Sequence, residues 1–394
     1  MPANRLAENF TDRYGGSTET VRTFFAPARL ILIGEYTDFN GGHVYPCAAS
    51  IGIYGAVRPR TDRELHFASA KNFPGEGAVI PLDKVEPHKE WLGVNSVLSV
   101  FDAFLKLGYE LPFGLDLYFD VDMPIGAGMG SAAAIQGITA LMIDQIYGLG
   151  IEDRMELAKI CMRATNDFMG VKVGILDSFV EFMAKKDFAV YLNAENMSCR
   201  YVPLQFRGKK IVITDSLKRR DIADTPYNDR VAECAQALKK FQSVMHLNAL
   251  CDLSSDTFEQ WKDVLMDDVL VKRVRHVVYE NKRVVRAFSA FRVKKEDVFG
   301  KMMNESHVSL RDDFEVSCKE LDFLAGEAWK KPYVTGSRMM GAGFGGCTIS
   351  IVDEDAVDTF RKEIGDAFEK EFGYRPEYYV TDSGDGVKEI TSIE

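Results

Sequence analysis

The sequence predicts an α+β protein of two domains, and three observations carry that reading. At ~150 residues per domain, a chain of 394 residues accommodates two domains or three. Strand-like and helix-like segments alternate along the chain. Near the C-terminus a strand, an amphipathic helix and a strand follow one another, the pattern of a compact α+β unit. The domain boundary is expected near 190–205, giving units 1–195 and 196–394.

Residues 22–34 read as a strand interrupted at Pro27 and ending in a turn at Gly34. Residues 44–58, rich in Val, Tyr, Ile and Ala, supply one or two more strands. Residues 115–122 alternate as a half-buried strand, and Pro124 with Gly126, Gly128 and Gly130 then breaks the chain. A helix is expected from Ser131, since Ile135, Ile138, Met142 and Ile146 keep helical spacing. Another covers about 152–168, strands are expected at 188–193 and 210–214, and Asp229 to about Asn248 is helical, with more helices to about 330. The final unit is a strand at Cys347–Val352, a helix marked by Val357, Phe360, Ile364 and Phe368, and a strand at 377–381.

Composition excludes several classes. With 46% hydrophobic and 27% charged residues, the chain is neither disordered nor collagen-like. Its net charge of −11 argues against a nucleic-acid or membrane-surface binder, since both need basic patches. No apolar stretch approaches the ~20 residues of a membrane span. The first residues show no apolar signal core. The seven cysteines are scattered with no C-x-x-C pair, which reads as reduced thiols in a cytoplasmic protein rather than a disulfide frame or zinc site.

Four segments could carry chemistry. Residues 123–134, MPIGAGMGSAAA, lie between a strand and a helix. Glycines there let backbone approach a ligand, and the free N–H groups of a first helical turn attract anions. The other reading is a tight turn with close helix packing. No Walker-type phosphate loop is present. Residues 341–346, GAGFGG, form a second such loop, or a place where two backbones meet; two loops together favour a phosphate-handling enzyme. Residues 26–40, APARLILIGEYTDFN, set Arg29 in an apolar run, where its charge needs a partner. Glu35 and Asp38 follow in a turn, where each alone would read as solvated. Residues 170–179, GVKVGILDSF, place Asp177 after an apolar tripeptide, either as a buried partner for Arg29 or as a helix N-cap.

Together these segments resemble the galactokinase branch of the GHMP small-molecule kinase family. The stretch APARLILIGEYTDFNGGHVYPCA is similar to its sugar signature, MPIGAGMGSAAA to its ATP-phosphate loop and GSRMMGAGFGGCTIS to its third motif. Residues 303–318 and 224–233 also resemble that branch. The resemblance implies an N-terminal domain like ribosomal protein S5 domain 2 and a ferredoxin-like C-terminal domain, with ATP and sugar between them. It implies Asp177 as catalytic base and Arg29 as its partner. It implies sugar contacts from Glu35, Tyr36, Asp38, Gly174 and Tyr227, and a phosphate loop of Gly126, Gly128, Gly130 and Ser131. It also suggests an adenine-side Trp91. The partners would be a sugar and ATP, with no nucleic acid or membrane, and a monomer is expected.

The chain departs from the family pattern at three places. Tyr36 replaces the usual histidine of the sugar signature. Ala132 replaces the serine that usually approaches Mg²⁺, and Thr165 replaces the acidic Mg²⁺ ligand twelve residues before the catalytic aspartate. No direct protein ligand to metal is therefore expected, and Mg²⁺ would be carried by ATP. Asp167, two residues along a helix, is turned ~200° away. The expectation is ATP-dependent phosphorylation of the anomeric hydroxyl of galactose. The alternatives are a kinase for a related sugar, or a non-catalytic sugar and nucleotide sensor.

Overall fold

The computed structural model describes residues 1–70, 77–89, 92–204, 206–219 and 225–390. Trp91 and Asp224 lie outside them. The first unit holds β1 (Arg22–Ile33), β2 (His43–Pro59), β3 (Glu64–Ser69), β4 (Val79–Pro81), β5 (Leu115–Val121), β6 (Phe188–Asn193) and β7 (Cys199–Pro203). Its helices are α1 (Ala3–Tyr14), α2 (Leu92–Lys106), α3 (Ser131–Tyr147), α4 (Arg154–Phe168) and α5 (Leu176–Met183). The second unit holds strands β8 (Lys209–Asp215), β9 (Val334–Met339), β10 (Cys347–Asp353) and β11 (Glu377–Thr381). Its helices are α6 (Tyr227–Gln242), α7 (Ser255–Trp261), α8 (Asp268–Arg292), α9 (Glu296–Asp312), α10 (Lys319–Trp329) and α11 (Val357–Phe372).

The first sheet runs β1-β2-β5-β3-β4, antiparallel except for the β3–β5 pair. The β6–β7 hairpin adds to β2, so the sequence boundary at 195 falls between two paired strands. The chain end returns to this sheet: β12 (Ser383–Gly384) pairs with β2, and β13 (Lys388–Ile390) with β1. The second sheet has the antiparallel order β11-β8-β10-β9. Within it, β8 and β9 are parallel and flank β10, the split β-α-β arrangement of a ferredoxin-like unit.

Two details of this frame position the site. β1 runs unbroken through Pro27, where an interruption was expected. The ladder with β2 shifts register between Pro27 and Arg29, and such a bulge re-aims the side chains beyond it. Pro27 lies opposite Gly52, where any Cβ would stand 2.0 Å from Ala26 O. In the second unit, α9 rests directly on β9, with a Cβ on Gly300 falling 1.9 Å from Thr335 O.

The α9–β9 contact therefore tolerates no side chain at position 300. Gly300→Ala should lower stability by about 1–3 kcal/mol, despite the better helix propensity of alanine. Urea unfolding with an unchanged midpoint would show instead that α9 can slide at no cost.

Candidate active site

Arg29 emerges from β1 just past the bulge, with its side chain 8% exposed. Its Nε and NH2 groups donate to Asp177 Oδ1 and Oδ2 at 2.8 and 2.9 Å, and NH1 donates to Gly128 O at 2.9 Å. The Arg29 backbone N–H donates to Met129 O at 2.9 Å. Burial works against the guanidinium charge, but Asp177 outweighs it and raises the pKa further. Asp177 lies in the first turn of α5, inside the helix rather than at its N-cap, and its side chain is 41% exposed. A bidentate pair thus joins β1, the glycine loop and α5, leaving one carboxylate open to a ligand.

The glycine loop leads into α3. Gly130, at φ 74°, precedes the helix in a left-handed conformation that favours glycine, and no side chain caps the first turn. The Ser131 hydroxyl accepts from Gly126 N–H at 3.3 Å. The uncapped N–H groups and the helix dipole suit an anion. The second glycine loop lies against the first: a Cβ on Gly341 would stand 2.7 Å from Gly128 O, and one on Gly346 2.6 Å from Ala127 O. Here two backbones meet at the mouth of a helix.

Asp38 follows β1 in a short turn, Asp38–Asn40, and faces Gly174, where a Cβ would stand 3.2 Å from Asp38 Oδ2. Asn166 on α4 fixes the segment before Gly174, accepting from Val173 N–H at 2.8 Å and donating to Val173 O. Burial raises the Asp38 carboxyl to about 6, with Asp177 adding to the rise. Tyr227 opens α6; burial raises its phenol, and the charges of Asp38 and Asp177 add to that effect. Arg29, Asp38, Gly174, Asp177 and Tyr227 are therefore gathered around one space.

Tyr36 and Glu35 are engaged with the second unit. Tyr36, at φ 68°, donates its hydroxyl to Ala342 O at 2.5 Å, and its ring packs on Phe314 and Tyr227. Glu35 is 3% exposed; it forms an ion pair with Arg338 and accepts from Gly341 N–H at 3.1 Å. Burial raises its carboxyl, opposed by Arg338. Glu280 takes the other side of this cluster, accepting from Gly34 N–H at 3.0 Å, Ser306 Oγ at 2.6 Å and Arg283 Nε at 2.7 Å.

Position 132 offers no oxygen, and Thr165 donates its hydroxyl to Gln136 Oε1 at 2.9 Å, away from any cation role. Asp167 is exposed. Among the described residues no cluster of His, Cys, Asp or Glu could hold a metal ion. Sequence reasoning missed Arg338, Glu280, Asn166 and Glu181. Arg338 lies within the quoted third motif, and Glu181 falls one helical turn after Asp177; Glu280 and Asn166 carry no comparable signal.

Fold and site together define a GHMP small-molecule kinase: GHMP kinase N-terminal and C-terminal domains match residues 95–185 and 287–370. Mevalonate kinase from Methanococcus jannaschii shares the fold, with a TM-score of 0.64 at 18% identity, covering 93% of this chain and 98% of that one. The galactokinase galactose-binding signature matches residues 8–59. Galactokinase from Lactiplantibacillus plantarum is 41% identical over 99% of this chain and 100% of its own. A crystal structure of Lactococcus lactis galactokinase complexed with galactose superposes with a TM-score of 0.93 at 37% identity, covering 98% of this chain and 99% of that one. The chain belongs to the galactokinase family.

The raised Asp38 pKa has a consequence for stability. The folded state holds this proton more tightly than the unfolded chain, so its contribution is present below the ordinary carboxyl range and is lost as pH rises through about 6. Asp38→Asn should therefore raise Tm above that pH and much less at acid pH. A Tm difference independent of pH would remove the burial argument.

Proposed function

We infer that this chain transfers the γ-phosphoryl group of ATP to the anomeric hydroxyl of galactose, releasing ADP. The observation that carries the reading is the Arg29–Asp177 pair, held at the mouth of an uncapped helix beside Asp38 and Tyr227. Asp177 accepts the proton of the anomeric hydroxyl. The sugar oxygen forms a bond to the γ-phosphorus, and the bond to the β–γ bridging oxygen breaks. Arg29 orients Asp177 through the bidentate pair and adds positive charge beside the transferred group. The N–H groups of the first turn of α3 take phosphate oxygens. Asp38, once ionised, accepts sugar hydroxyls, and Tyr227 offers a hydroxyl beside it. Tyr36, tied to Ala342, shapes the wall of the sugar space. Glu35, which the family resemblance would place on the sugar, serves this site through Arg338 and Gly341, holding the sugar turn against the second glycine loop.

The residues at the two family metal positions do not fit a direct Mg²⁺ site. No step is assigned to a protein-bound ion, and we propose that Mg²⁺ arrives with ATP. We further propose that the two units, divided just past β7 rather than at 195 and with the chain end returning to the first, act as two lobes around the substrates, in a cytoplasmic monomer. Light scattering tests the last point.

Asp177→Asn keeps the shape of the side chain but removes the proton acceptor. It should lower kcat with galactose by about 10²–10⁴, while galactose binding by calorimetry is largely kept. Near-normal turnover would take Asp177 out of the mechanism.

Magnesium chloride titrated into the nucleotide-free protein should give no saturable heat. Ala132→Ser combined with Thr165→Glu should lower the Mg²⁺ concentration for half-maximal activity, more than the single changes combined, since both would touch one ion. Saturable binding to the wild type would show that another carboxylate does the work.

A further inference from the structure

Glu181 is absent from the mechanism above, yet it lies one turn beyond Asp177 on α5. It is fully buried, and neither of its carboxyl oxygens has a hydrogen-bond partner among the described residues. Its side chain occupies a recess left by Gly137 on α3, where a Cβ would stand 3.2 Å from Glu181 Cβ and 3.7 Å from Oε2. The charged and titratable groups that face it are Asp177 on its own helix, Arg29 from β1 and Cys161 from α4. Burial first, and then Asp177, hold its pKa well above the carboxylate range, with Arg29 opposing them.

A buried carboxylate without partners is among the most costly groups a fold can carry. The guanidinium of Arg29 is already occupied by Asp177 and Gly128 O. Neutrality is therefore the state in which Glu181 fits. The two carboxyls differ in their alternatives to Arg29: the Asp177 side chain is 41% exposed and can be hydrated, whereas Glu181 is 0% exposed and cannot. Were Glu181 ionised, it would have the stronger claim on Arg29, the cation that acts on it among the described residues. Arg29 would turn from Asp177 and loosen its hold on Gly128.

We propose that Glu181 is a positioning residue of the phosphoryl-transfer site: as a neutral acid it leaves Arg29 wholly to Asp177, and on losing its proton it draws Arg29 away. This rests on the reading of Asp177 as base. It makes Glu181 the group that sets the alkaline limit of turnover.

The test is kcat with galactose against pH for the wild type, Glu181→Gln and Glu181→Met, with carboxyl ¹³C NMR of the same proteins. One pH unit above the wild type's own alkaline midpoint, the ratio of alkaline to neutral kcat should be about tenfold higher in both variants, the factor by which the wild-type acid form has then fallen. In the wild type the Glu181 carbon should resonate as a protonated acid at neutral pH. The Asp177 carbon should shift as Glu181 titrates, and this shift should vanish in both variants. Glu181→Met is unbranched, apolar and similar in length, so it keeps the test decisive if the unpaired amide of Glu181→Gln prevents folding. An alkaline limb shared by wild type and variants, or a Glu181 carbon already ionised at neutral pH, overturns the proposal. If the wild type does not turn over galactose at all, the kinase reading falls instead. The coupled Asp177 shift then decides whether Glu181 governs Arg29: coupling upholds it, and its absence overturns it.

Discussion

The pairing of Arg29 with Asp177 is the constraint on which the site depends. An arginine 8% exposed on a sheet strand is tolerable only when fully partnered, and each of its partners belongs to a different element. Asp177 fixes the start of α5. Gly128 O fixes the glycine loop, and the backbone N–H to Met129 O repeats that link. The requirement to satisfy one buried cation therefore sets the position of the Asp177 carboxylate, the base of the proposed mechanism, relative to a helix N-terminus. That relative position is what phosphoryl transfer demands, since the chemistry rests on alignment and charge compensation rather than on covalent participation by the protein.

A second buried ionic cluster joins the sugar turn to the other half of the molecule. Arg338, fully buried, faces Glu35 and donates to Ile31 O at 3.2 Å. Burial opposes the charge on Glu280, yet Arg283, then His276 and Arg338, hold its carboxyl down to about 2. His276, with burial lowering its pKa to about 4, lies between Ser309 Oγ at 3.0 Å and Glu35 O at 3.2 Å. Such a network is weak evidence for stability, because desolvation offsets much of the attraction. Its geometric effect is clearer. Residues 34 to 36 must adopt one conformation relative to α8, α9 and β9, and Tyr36 adds its bond to Ala342 O. The turn at 34–38 and the second glycine loop are therefore tied directly to one another.

Much of this was legible in the sequence because local chemistry announced it. Period-two alternation marked β5, and helical spacing after a glycine break marked α3 and its phosphate-facing end. Arg29 in an apolar run demanded a partner, and Asp177 after an apolar tripeptide supplied it. What was not legible depends on long-range register. Pro27 suggested an interrupted strand, but the bulge that absorbs it needs Gly52 opposite, a pairing fixed only by the folded sheet. The boundary near 195 cuts the β6–β7 hairpin, of which only the first strand was expected, because its partner, the start of β2, lies some 150 residues earlier, as the His43–Asn193 pair shows. Glu35 looked like an open turn carboxylate, and only the approach of β9 reveals Arg338. Glu181 was passed over, since its burial depends on the missing side chain at Gly137 on another helix.

The departures at 132 and 165 form a pattern when followed through the helical layer. Thr165 donates to Gln136 Oε1, and Gln136 Nε2 donates in turn to Ser99 Oγ at 3.0 Å, a chain running inward through α4, α3 and α2. The polar capacity that an acidic side chain at 165 would direct at the phosphates is directed into the protein. Ala132 likewise presents a methyl group where an oxygen would face the cleft. The Glu181 carboxyl lies a turn beyond Asp177, where burial favours its neutral form. The charge balance around the substrates then rests on Arg29 and the dipole of α3, opposed by Asp177 and, when ionised, Asp38. On the mechanism proposed above, nucleotide phosphates are held by N–H and guanidinium donors, and Ala132 and Thr165 leave the metal to arrive with the nucleotide.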